Sequence, residues 1–315
     1  MRAKARFLDV LQWAIVALIF VFLGRTVLQD WTRVKDTSFF LKGGPLFWAT
    51  LIFASSYIIQ VWAWYLITVK LGIAISFGET LKSWFYSQLG KYLPGKVWLL
   101  LGRFYLYGSK GKSKKAISVA LYFETVIGVV AAGVLFLATL ILFEEARPFY
   151  SRKEVWWLIF PLALAFLSLY PPILEKILNL ILRRFKREPV SVSISYPEIL
   201  WVLFISLLAW IMGGAAFYLF TNAVFAIPSN YILFLTGSLA FACFLGLVAI
   251  FAPSGLGVRE GVLVYLLSAI MPGSVAVIVS ILTRIWMTLI EIGLIGMIYL
   301  ICLFRKRERK GNLHG

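Results

Sequence analysis

Residues 79–115, ETLKSWFYSQLGKYLPGKVWLLLGRFYLYGSKGKSKK, constrain this chain more than any other stretch. They are too apolar and aromatic for a solvent loop, yet Lys91, Lys96 and Arg103 lie in their middle. Pro94-Gly95 interrupts the run. Proline removes a backbone donor and clashes with the preceding turn, so one clean spanning helix is impossible. Residues 79–93 therefore read as one helix stopped by Pro-Gly, and 96–107 as a second closed by Gly108-Ser109. At about 1.5 Å per residue each arm reaches about 20 Å, short of a hydrocarbon core about 30 Å thick. Two short arms with polar outer ends describe a re-entrant helical hairpin over 79–108.

That hairpin has a chemical consequence. A helix starting at Lys96 aims its unsatisfied N–H groups and positive dipole end at the tip, between Lys91 and Lys96. Lys96, Leu100, Arg103 and Tyr107 recur at i, i+4, i+7 and i+11, so they share one face. An anion fits such a place, and a lipid phosphate is the anion most available in a membrane. The plainer alternative is an amphipathic interfacial hairpin whose cations snorkel to headgroups.

The remainder is built for a bilayer. Hydrophobic residues make up 61% and charged ones 14%, so an all-α polytopic membrane protein is expected, in one transmembrane domain over 1–304 with a basic tail, 305–315. Spans are expected over 7–24, 45–69, 116–143, 155–174, 197–223, 231–252, 258–270 and 274–304, about eight crossings besides the hairpin. The expected segment 258–270 follows a second broken element, Pro253 to Gly257, and is the shortest. Gly213-Gly214-Ala215-Ala216 would let the 197–223 helix approach a neighbour closely. Of 31 Lys and Arg, 19 fall in segments this count assigns to the cytoplasm and 7 in outer loops. The bias predicts a protein of the cytoplasmic membrane with both termini in the cytoplasm, and explains the net charge of +17 better than nucleic acid does. Two broken elements suggest halves over 1–174 and 175–304, as in carriers built from interrupted helices. Trp62, Trp64, Trp156, Trp157 and Trp201 fall near span ends and are expected in interfacial belts.

Charges remain inside the spans. Glu124 lies about nine residues past Lys115, roughly 13 Å deep. Arg284 and Glu291, on the last span, are two turns apart and cannot pair, so each needs another partner. Glu260 is the candidate for Arg284, and Glu124 for a hairpin cation; Glu124, Glu260 and Glu291 are the carboxylates suited to proton coupling. Cys243 and Cys302 lie in apolar runs and His314 is the single histidine, so no disulfide, metal site or cofactor is implied. No G-x-x-x-x-G-K-[ST] loop is present, so ATP is not the expected energy source.

The motifs K-x-x-P-G-K (Lys91, Pro94, Gly95, Lys96), Gly102-Arg103, Glu124 and P-x-G-x-G-x-R-E-G (Pro253, Gly255, Gly257, Arg259, Glu260, Gly261) resemble the lysylphosphatidylglycerol synthase transmembrane-domain family. The resemblance implies a stand-alone, flippase-like membrane part. Fused members carry a soluble aminoacyl-transferase domain, which is not expected here, since the chain ends at Gly315 after a short basic tail. A non-enzymatic protein that binds and translocates an anionic lipid, phospholipid or polyprenyl-phosphate-linked, is the expectation. Lys91, Pro94, Gly95, Lys96, Arg103, Arg259 and Glu260 would hold the headgroup, and Glu124, Arg284 and Glu291 would serve as intramembrane charges. The alternatives are an accessory subunit beside a partner enzyme of lipid or glycolipid synthesis, or a headgroup or glycosyl transferase.

Overall fold

A computed structural model describes residues 21, 25, 41–92, 97–143, 153–184, 186, 188–249 and 252–311, which contain helices and no strand. The helices are α1 Gly43–Lys70, α2 Phe77–Gln88, α3 Val97–Gly108, α4 Lys114–Leu142, α5 Lys153–Ser168 and α6 Pro171–Arg184. They are followed by α7 Tyr196–Val224, α8 Ile232–Val248, α9 Val258–Leu267 and α10 Gly273–Gly311. With no water to satisfy the backbone in a bilayer, apolar runs of this length can only be helices.

The antiparallel pair α1 and α7 forms the most extensive helix interface. It is tied at one end by the Lys42 N–H donating to the Ala223 carbonyl at 3.1 Å. At the other, Lys70 pairs with Glu198 at 2.6 Å. Small residues let the neighbours close in, as the Gly-Gly-Ala-Ala run promised. A Cβ on Gly214 would lie 2.5 Å from the Thr236 Cβ of α8. One on Gly237 would lie 2.0 Å from the Thr139 hydroxyl of α4. Ala216 and Ala49 are wholly buried.

Among the described residues five helices are long and apolar enough to cross a membrane, Ser229–Val248 with α8 among them, and six if the bent pair α5–α6 counts as one span. The expected eight is not matched among these residues, and three of the expected spans account for the difference. The 7–24 span lies outside the described residues. The 155–174 span is not one straight helix: α5 ends at Ser168, and α6 leaves at 87°. Pro171-Pro172 explains the break, since neither offers a donor to continue α5 and each restricts the residue before it. The expected 258–270 crossing is also overturned, because α9 has 10 residues, about 15 Å of helix.

Instead, α9 folds back along α8. Gly246 meets Gly255 and Arg259 near the break, while Phe234 and Leu266 share a cluster near the open end. α2 and α3 form a similar antiparallel hairpin. Its open end is closed by the Lys110–Glu79 ion pair. Near its tip, a Cβ on Gly90 would lie 2.5 Å from the backbone of Trp98 and Leu99. The hairpin limits agree with the expected 79–108 to within two residues at its outer ends.

A leucine at Gly214 must force α7 off α8, an overpacking cost of about 1–3 kcal/mol. Thermal unfolding of the purified protein should show a clearly lowered midpoint for Gly214→Leu. Gly293→Leu should be near neutral, because a Cβ there meets nothing within 4 Å.

Candidate functional site

Three ion pairs inside the bundle fix the two hairpins. In the first, Arg103 of α3 is 1% exposed and pairs with Glu124 of α4. Its Nε donates to the Ser87 hydroxyl at 3.1 Å, and its guanidinium sits 4.4 Å from the Trp64 ring centroid and 5.4 Å from that of Trp84. Trp84 Nε1 donates to the other Glu124 oxygen at 2.9 Å. One turn on, Trp64 Nε1 donates to the Tyr107 hydroxyl at 2.9 Å. Burial of a guanidinium between indoles, with a carboxylate to neutralise it, is a strong desolvated contact.

The second pair joins the hairpin tip to α10. Lys91 lies in the 3-10 turn Leu89–Tyr92, and its ammonium is 2.7 and 2.6 Å from the two Glu291 oxygens. Glu291 is near the middle of the apolar stretch Gly273–Phe304, so this tip reaches the mid-level of a full span. Arg259 and Arg284 are close enough to repel the Lys91 charge.

The third pair holds the other tip. Arg284 Nη1 donates to Glu260 Oε1 at 2.9 Å, and Glu260 Oε2 accepts the Gly257 N–H at 2.7 Å. Gly257 and Gly255 have φ of 81° and 69°, a left-handed backbone that glycine adopts at little cost. Arg259, one residue before Glu260, reaches the Met287 sulfur. α8 runs antiparallel to α4, with the Thr139 hydroxyl donating to the Leu233 carbonyl at 3.0 Å and Phe241 stacked on Phe136. It therefore expires near the middle of α4. The two breaks, Leu89–Tyr92 and Pro253–Gly255, touch. The hairpins enter from opposite ends of the bundle and meet tip to tip.

Beside the meeting point is a cavity of about 280 Å³. Ser56 and Gln60 of α1, Gln88 of α2 and Arg259 of α9 supply its polar groups, among Phe53, Tyr57, Trp84, Trp210 and Met287. Arg259 is the one charged side chain in this lining.

Of the residues singled out from sequence, Lys91, Arg259, Glu260, Arg284 and Glu291 gather around the two tips. Arg103 and Glu124 lie together along the hairpin arms. Pro94, Gly95 and Lys96 lie outside the described residues. The expected shared face of the second arm splits: Arg103 and Tyr107 are buried, whereas Leu100 is exposed. Trp64 is not part of an interfacial belt, being 0% exposed, because its ring covers Arg103; Trp62 and Trp201 are exposed. Sequence reasoning passed over Gln60, Gln88 and Gly90. The two glutamines were detectable as polar interruptions of apolar helical faces, and Gly90 as a glycine one turn before Pro94.

Removing one member of a buried pair strands the other charge, at about 3–5 kcal/mol, whereas replacing both costs far less. Lys91→Met should therefore destabilise strongly in a chemical-denaturation series. Lys91→Met/Glu291→Met should recover most of that loss, and a double variant no more stable than the single would show that the pair is not the anchor.

Comparison with known proteins agrees with this architecture. No curated protein matches the chain. The lysylphosphatidylglycerol synthase TM region matches residues 10–296, spanning both hairpins and every ion pair above. The chain is thus a multi-pass membrane protein of the lysylphosphatidylglycerol synthase transmembrane family, a family of lipid metabolism or transport.

Proposed function

We propose that this protein carries the headgroup of an anionic lipid across the cytoplasmic membrane while the acyl chains stay in the bilayer. The observation that carries the reading is the cavity beside two opposed hairpin tips, with Arg259 in its wall. Both hairpins are re-entrant in this proposal, the α2–α3 hairpin from the cytoplasmic side and α8–α9 from the other. Both termini are cytoplasmic, as the distribution of Lys and Arg favours.

Each tip leaves irregular backbone at mid-depth, which a bilayer tolerates where it lines a cavity or is packed in protein. A phosphate entering beside Arg259 would exchange its hydration for a guanidinium fork and the amides of Gln60 and Gln88. At about 280 Å³ the cavity lies near the small end of ligand sites, roughly 300–1,000 Å³. A compact phosphate headgroup suits it better than an oligosaccharide, which favours phospholipid or bare polyprenyl phosphate. Among the described residues the lining is an arginine, two amides, a serine and apolar or aromatic side chains, a lining that suits holding a headgroup. Lys91–Glu291, beside the junction, holds the α2–α3 tip to α10; loss of the Glu291 charge would release that tip, which gives a proton gradient a place to act.

Arg259→Gln should slow translocation of fluorescent phosphatidylglycerol in proteoliposomes by roughly ten- to a hundredfold, the loss of one charge-assisted contact. Arg307→Gln, in the tail, should not. Wild-type protein that moves neither phosphatidylglycerol nor polyprenyl phosphate faster than empty vesicles, with and without a proton gradient, would count against the carrier and leave an accessory subunit as the better reading.

A further inference from the structure

α6 belongs to neither hairpin. Its bend of 87° from α5 turns it from the direction of a span toward the plane of the membrane. Successive side chains divide its surface three ways. Leu174, with Glu175 and Asn179, faces the body. Glu175 accepts the Val192 N–H at 2.9 Å. The Asn179 amide accepts from the Val190 N–H at 2.7 Å and donates to the Val190 carbonyl at 3.0 Å. These bonds clip residues 190–192 along the helix and fix its rotation.

On the face turned away, Ile173, Ile177, Leu180 and Ile181 are 40, 47, 71 and 51% exposed. Their spacing of i, i+4, i+7 and i+8 makes one continuous apolar stripe. Lys176 and Arg183 stand at its edge, both exposed, two turns apart on the same side. They flank a groove of about 860 Å³ that also includes Tyr170, Asn179, Ser195 and Tyr196. Water is a poor solvent for four bare aliphatic side chains, and a hydrocarbon interior is a poor one for the two cations. Only a boundary satisfies both.

We infer that α6 is a membrane-surface helix that seats on anionic lipids, its aliphatic stripe against acyl chains and Lys176 and Arg183 on phosphates beside the groove. Charge complementarity selects the occupant: Lys112 and Lys114 belong to the same end of the bundle, beside Lys115, which reaches Glu188 of the segment that follows α6, so acidic headgroups are attracted there over zwitterionic ones. This site is separate from the cavity beside the hairpin tips and does not depend on transport. It gives the protein annular lipids of one class beside the bend between α5 and α6.

The test uses the full chain in a Cys243→Ser/Cys302→Ser background. A cysteine at Leu180 carries an environment-sensitive dye, in nanodiscs of phosphatidylcholine with or without phosphatidylglycerol. Emission should be blue-shifted and quenched by lipids spin-labelled near the headgroup, and phosphatidylglycerol should be enriched around the dye. Lys176→Gln and Arg183→Gln should each reduce that enrichment roughly fivefold, the equivalent of about 1 kcal/mol per surface cation. Thermal unfolding of both variants should be unchanged, since neither side chain is packed. Water-like emission in both discs would overturn the inference. So would dye self-quenching that rises with protein copies per disc, which would make the stripe an interface between two copies, and so would equal enrichment in the charge variants.

Discussion

A cation at the tip of a broken helix, Lys91, meets a carboxylate halfway along a full span, Glu291. Most of the structure follows from keeping that contact. An ammonium at such depth is tolerable only when paired, so the α2–α3 hairpin must end where Glu291 is and nowhere shallower. Its arms must then be short, and they must touch. Gly90 permits the approach, since any side chain there would strike the backbone of Trp98 and Leu99. Arg103 and Glu124, wrapped by Trp64 and Trp84, hold the arms to the body at a shallower level.

The second hairpin solves the same problem from the other end. Its tip is fixed by Glu260, which neutralises Arg284 while capping the Gly257 N–H. One carboxylate thus settles both a span's charge and a helix's beginning. Arg259, whose guanidinium reaches the Met287 sulfur, lines the cavity wall. Two tips that touch at mid-level leave one thin layer between the ends of the bundle, and a headgroup-sized space lies beside it. In the proposed carrier, that arrangement would expose the space to one side and then the other.

Much of this was legible in the sequence wherever a local rule acts alone. Gly108 marked the outer end of the first hairpin, because glycine interrupts helices irrespective of context. The charge rule was also informative: Arg284 was assigned to Glu260, and Glu124 to a hairpin cation, simply because an intramembrane charge needs an opposite one. Counting crossings failed where composition and geometry part company. Residues 155–174 are apolar enough for a span, but Pro171-Pro172 turns the chain. Residues 231–252 do give a helix long and apolar enough to span, but 258–270 is equally apolar and yields only the 10-residue α9, folded back along α8. Trp64 was misplaced for a related reason. An indole near a span end has two good environments, a headgroup belt or a guanidinium partner, and only tertiary contact chooses between them. Gln60 and Gln88 were visible as polar residues in apolar helices but gained meaning only when α1 and α2 were set side by side.

The central claim is that two hairpins enter from opposite faces and meet inside. Site-specific labelling in sealed, oriented vesicles tests it most directly, with single cysteines in a Cys-free background at Gly78, Ser109, Ser229 and Ala269, all exposed at the open ends. An impermeant thiol reagent should reach Gly78→Cys and Ser109→Cys from the cytoplasmic face alone, and Ser229→Cys and Ala269→Cys from the opposite face alone. Labelling of the two ends of either hairpin from different faces would turn its arms into crossings and contradict the account.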